Sequence, residues 1–72
     1  MAQEIKAPIT GTIWKITCTA QGQVAEGDTV IIMESMKMEM PVETECSGKV
    51  ATVHVKEGQP VQEGQLLVTI ED

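Results

Sequence analysis

The sequence predicts an all-β protein, a flattened β-barrel of two four-stranded sheets related by a pseudo-twofold axis. Three observations lead there. Hydrophobic residues make up 42% of the chain, yet the only aromatic is Trp14, so the interior is built from Val, Ile, Leu, Met and Ala, which suits thin β-layers. The chain resembles itself after a shift of 37 places. Glycines and Pro60 cut the sequence into short segments of strand character. At 72 residues there is sequence for one hydrophobic core, and residues 1–72 are read as a single domain.

The shift superposes Gly11 on Gly48, Val24 on Val61, Glu26 on Glu63, Gly27 on Gly64 and Glu34 on Glu71. Apolar positions follow: Ile13 falls on Val50, Ile16 on Val53, Val30 on Leu67, Ile31 on Val68 and Met33 on Ile70. Bringing Gly22 onto Gly58 takes a one-residue slip, so the first half reads as one residue shorter between its turn glycines.

In chain order, strands are expected near 3–7, 12–18, 23–25, 30–34, 38–44, 49–56, 60–62 and 66–71, those at 23–25 and 60–62 being very short. Apolar residues stand at Ile13, Ile16 and Cys18 after Gly11, and at Val50, Val53 and Val55 after Gly48, which breaks strict alternation once in each half. A strand that keeps one face buried across such a phase slip needs a bulge or sharp twist, as where sheets curl closed. Two intertwined β-units of this kind leave few exposed edges.

Charge excludes some function classes. Eleven acidic residues oppose five lysines for a net charge of -6, which repels nucleic-acid phosphates. No apolar run is long enough to span a bilayer, and Met1 to Ala7 lacks a basic segment followed by an apolar one, so neither membrane insertion nor a leader is expected. A cytoplasmic location is expected, or the mitochondrial matrix if the domain belongs to a longer eukaryotic chain. Cys18 and Cys46 lack metal-ligand spacing and read as reduced, partly buried small hydrophobes.

Between the halves, Glu34-Ser35-Met36-Lys37-Met38-Glu39-Met40-Pro41 has no counterpart beyond Glu34. Met, Glu and Lys favour helix, but so short a stretch rarely nucleates one and Pro41 closes it. Flanked by strands it reads as a hairpin tip, although no Asn-Gly or Gly-Gly pair fixes the turn type. Composition alone allows a methionine-rich cap with Lys37 as one more solvated charge. Against that, Met36 and Met38 flank Lys37 in a turn that ought to be polar, and exposed methionines are adaptable contact surfaces.

These residues resemble the acceptor motif of biotinyl domains, the biotin carboxyl carrier family, commonly Glu-Ala-Met-Lys-Met-Glu, with Ser35 in place of the alanine. The likeness covers nearly the whole chain. Ala7-Pro8 and Gly11 resemble the family's early Ala-Pro and glycine, Gly27 the glycine before the strand leading to the lysine, Pro41 the proline after it, and Ser47-Gly48 the small pair opening the second half. Thr10 departs from a frequent proline, and the Gly22 to Gly27 turn is shortened. No insertion resembles the protruding loop of some bacterial carriers.

The resemblance implies a barrel-sandwich hybrid with the acceptor lysine at a hairpin tip, and a non-catalytic carrier component of a biotin-dependent carboxylase, decarboxylase or transcarboxylase. Lys37 would carry covalent biotin, Met36 and Met38 would flank it for recognition, and Glu34, Ser35 and Glu39 would complete the motif. A biotin protein ligase acting through biotinyl-adenylate would install the cofactor. A biotin carboxylase and a carboxyltransferase would then be the partners, with the isolated domain monomeric. Two rivals remain: a lipoyl carrier, whose lysine is usually flanked by Asp and Ala, or a dual biotin/lipoyl attachment protein, and an unmodified β-barrel interaction module.

The remaining polar residues read more plainly. His54, between Val53 and Val55, is expected to point away from the face they bury, and Trp14 to lie opposite Ile13 on the barrel's outside. Ser35 and Ser47 read as turn residues. Glu26, Asp28, Glu57 and Glu63, beside turn glycines, read as solvated loop charges.

Overall fold

The computed structural model describes residues 2–71. Eight strands run in chain order: β1 (Ala2–Lys6), β2 (Gly11–Ile16), β3 (Gln23–Val24), β4 (Thr29–Ser35), β5 (Met38–Glu43), β6 (Gly48–Val53), β7 (Pro60–Val61) and β8 (Leu66–Glu71). They form two four-stranded antiparallel sheets, ordered β1-β8-β6-β3 and β5-β4-β2-β7. Each sheet takes strands from both halves of the chain, so the halves interlock as the repeat requires. The body measures 33 × 17 × 17 Å.

The pseudo-twofold holds residue by residue. Ile13 and Val50, Val30 and Leu67, Ile31 and Val68, and Met33 and Ile70 are all fully buried, and each pair is one position of the repeat. The phase slips read from the sequence are bulges. The β2–β4 register shifts between Ile13 and Lys15, and the β6–β8 register shifts between Val50 and Thr52. One extra residue in each strand, Trp14 and Ala51, lets Ile13 and Ile16, or Val50 and Val53, face inward together while the sheet bends. A second pair of shifts, between Thr29 and Ile31 and between Ile5 and Lys6, leaves Val30 and Leu67 unpaired in register.

The one-residue slip expected between the turn glycines does not exist. Gln21 N–H donates to Val50 C=O at 2.7 Å and Gly58 N–H donates to Ile13 C=O at 2.6 Å, so Gln21 and not Gly22 is the counterpart of Gly58. Gln21 takes φ 72° where Gly58 takes 86°. The turn from Gly22 to Gly27 is therefore not shortened, and both halves have equal length there. Glycine marks a left-handed position only where the chain uses it so, and here Gln21, not Gly22, takes that conformation.

Several polar residues act within the loops. Asp28 Oδ2 accepts from Ala25 N–H at 2.8 Å, as Gln65 Oε1 accepts from Gln62 N–H at 3.1 Å in the other half. Glu57 Oε2 accepts from Ile16 N–H at 3.2 Å, so Asp28 and Glu57 are turn-fixing acceptors rather than free solvated charges. Ser47 Oγ and Thr10 Oγ1 accept from Glu26 and Glu63 N–H, again one position of the repeat. Thr44, the buried polar side chain, donates from its hydroxyl to Cys46 C=O at 2.8 Å and accepts from Cys46 N–H. Both cysteines are free and half-buried, and burial pushes the Cys18 thiol up, partly offset by a backbone hydrogen bond.

A non-glycine residue in the left-handed region costs about 1–2 kcal/mol, while glycine elsewhere loses about 0.5–1 kcal/mol of backbone entropy. Gln21→Gly is expected to stabilise the domain by about 0.5–1 kcal/mol. An increased urea midpoint at unchanged m-value checks it.

Candidate functional site

Beyond the shift at Val30, β4 and β5 pair in continuous register from Ile31 opposite Val42 to Ser35 opposite Met38, leaving Met36 and Lys37 as a two-residue loop. Both take positive φ, 53° and 64°, the signature of a type I′ hairpin turn. That turn matches strand twist but favours Asn-Gly. Met-Lys adopts it at a cost of about 1–2 kcal/mol per residue, so the flanking strands must impose it. The strain falls on the one segment without a counterpart in the repeat.

The base of the hairpin is held from below. A Cβ added at Gly11 would lie 2.6 Å from Glu34 O and 3.2 Å from Ser35 Cβ, so β2 and β4 approach more closely there than any side chain allows. Ser35 Oγ donates to Thr10 C=O at 3.1 Å, and Thr10 Oγ1 accepts from Glu63 N–H at 3.1 Å. Ser35 is thus the half-buried last residue of β4, not part of the turn. It ties the tip through Thr10 to the loop before β8. Neither Thr10 nor Gly11 was singled out from sequence for this support. The available signal is Gly11 at the very start of β2, since a glycine in a strand marks close backbone approach.

Beyond that base everything is open. Met36 is 91% and Met38 66% exposed, against complete burial of Met33. Lys37 is exposed, and among the described residues the one ion pair is Lys6 with Glu4, at 3.8 Å, so none restrains Lys37. Exposure does not distinguish it, since Lys6, Lys15, Lys49 and Lys56 are exposed as well. Conformation does: Lys37 alone among the lysines has positive φ. Glu34 and Glu39 are exposed and directly opposed across β4 and β5, a like-charge pair that costs stability. An exposed ε-amine on a two-residue hairpin turn, held by no ion pair among the described residues, fits a covalently attached carrier group.

The other sequence expectations are met elsewhere on the barrel. Trp14 is 47% exposed, outside the core. His54 is exposed, and its Nε2 lies 2.8 Å from Thr69 Oγ1, away from the lysine turn.

Gly11→Ala is expected to force β2 away from Glu34 and destabilise the domain by about 1–3 kcal/mol, the range for steric overpacking. Thermal unfolding followed by circular dichroism checks it.

A family model described as "Biotin-requiring enzyme" matches residues 3–70. The chain is 45% identical over 67 residues to a pyruvate carboxylase of Bacillus subtilis, covering 93% of this chain but 6% of that protein. It is 39% identical over 66 residues to a biotin/lipoyl attachment protein of the same organism, covering 92% of this chain and 90% of that one. Among solved structures, Kluyveromyces lactis urea carboxylase superposes with a TM-score of 0.93 at 38% identity, covering 99% of this chain and 6% of that one. The motif around Lys37, the interlocked barrel and these matches lead to one conclusion: the chain belongs to the biotin/lipoyl attachment family.

Proposed function

We propose that this chain is a biotin carrier in which the Lys37 ε-amine holds biotin through an amide bond, installed by a biotin protein ligase, and presents it in turn to biotin carboxylase and carboxyltransferase sites. The observation that carries this reading is the left-handed Met36-Lys37 turn, which sets Lys37 apart from the four other exposed lysines. The family description and the likeness to carboxylases support it.

Among the described residues no side chain hydrogen-bonds Lys37 as a base would, so activation belongs to the ligase and its biotinyl-adenylate, from which the amine displaces AMP as it loses a proton. Bound biotin supplies the carboxyl-carrying chemistry. The chain supplies position. A hairpin fixed at its base by Ser35, Thr10 and Gly11 projects Lys37 outward, and the tether keeps the carried group at high local concentration near each enzyme. Met36 and Met38 offer polarizable, adaptable contacts beside the amine.

The likeness to a biotin/lipoyl attachment protein supports a second reading, in which lipoate is accepted at the same lysine. Intact mass after incubation with each ligase and its cofactor separates the two.

Lys37→Arg keeps the positive charge but replaces an acylatable amine with a guanidinium. Its stability is expected to stay within about 0.5 kcal/mol of the wild type, because an exposed tip residue makes few contacts. Biotin incorporation is expected to vanish, as read by intact mass after incubation with ligase, ATP and biotin.

A further inference from the structure

The pseudo-twofold makes each sheet a control for the other. The bulge at Trp14 sets two consecutive residues, Trp14 and Lys15, on the outer face beside Ile32, whose neighbour on the other side is Pro41. Trp14 is 47% exposed, Ile32 is half-buried and Pro41 is exposed. The same positions on the other sheet are Ala51 and Thr52 beside Thr69, with Glu4 beyond. The fold thus accepts small or polar residues there. Only the sheet bearing the lysine carries an indole, a branched aliphatic side chain and a proline in that row.

We propose that this row, Trp14-Ile32-Pro41, is the docking surface for the enzyme that acylates Lys37, an inference that rests on Lys37 being the acceptor. Pro41 and Ile32 lie on the two strands that carry the turn, and Pro41 is about 13 Å along β5 from Lys37. Glu34 and Glu39 fill the outward row between them and the turn, opposed and without an ion-pair partner among the described residues. The fitting occupant is a protein surface with an apolar socket for the indole and cationic side chains facing the two carboxylates. Unmodified Lys37 has only a four-carbon stem, so the acylating enzyme must come close against the barrel. Enzymes that act later meet a longer arm and need not touch this face.

The test replaces the row with its own symmetry mates. One variant combines Trp14→Ala with Ile32→Thr, copying Ala51 and Thr69. A second, Pro41→Glu, copies Glu4 and alters one exposed residue on an edge strand. Steady-state kinetics with a purified biotin protein ligase, ATP and biotin, varying the domain, should show KM raised by about tenfold or more, the effect of losing an aromatic anchor, with kcat little changed. Unchanged KM in both folded variants overturns the proposal, including the case where only later carboxyl transfer from the biotinylated variants is impaired. Lys37→Arg in the same assay keeps the two claims apart: incorporation into it would refute the acceptor assignment whatever the KM values show.

Discussion

The barrel depends on one constraint, that each half of the chain breaks the alternation of its main strand once. At Trp14 and at Ala51 an extra residue is admitted on the outside, so that Ile13 and Ile16, and Val50 and Val53, keep facing inward across the break. Without that slip a strict two-residue period would carry half of each strand's apolar residues to solvent. With it, each sheet curls over the other and Ile13, Val30, Val50 and Leu67 are removed from water. In so small a chain, without disulfides, this closed core is the main source of stability.

The lysine hairpin is possible because of that rigidity. A two-residue left-handed turn of Met and Lys is unfavourable by itself, and facing glutamates add to the cost. Close approach at Gly11 and the bond from Ser35 to Thr10 fix the last paired residues, so strand register dictates the turn. Strain held at a functional position by its surroundings is a known way of presenting a side chain. The repeat shows where the extra cost is tolerated. The twofold equivalent of Glu34 opposite Glu39 is Glu71 opposite Ala2, so the β4–β5 hairpin carrying the lysine turn corresponds to the β8–β1 pair, which no turn connects.

Most of the barrel was legible in the sequence because strand period, phase slip and repeat are all one-dimensional signals. The bulges follow from Ile13 to Ile16 and Val50 to Val53 spacing alone, and the hairpin from the unrepeated segment between two strands. What was hidden depends on the third dimension. Gln21 takes a left-handed φ because its N–H must reach Val50, which no propensity of glutamine reveals, and trusting glycine as the marker produced a slip that is absent. Asp28 and Glu57 read as ordinary loop charges, and Thr10 only as a departure from a frequent proline, because the sequence does not say which backbone N–H lacks a partner. At the site, Lys37, Met36 and Met38 were visible from the motif, while the Gly11 contact that holds the turn appears only when β2 lies against β4.

The central claim is that geometry, not accessibility or intrinsic reactivity, selects one amine among five exposed lysines. Tandem mass spectrometry of the wild-type domain after enzymatic biotinylation tests it most directly, beside a sample labelled with an N-hydroxysuccinimide ester of biotin. The ester should modify Lys6, Lys15, Lys37, Lys49 and Lys56 alike, because all are exposed. The ligase should modify Lys37 alone. Enzymatic biotin distributed over several lysines, as with the ester, would contradict the account.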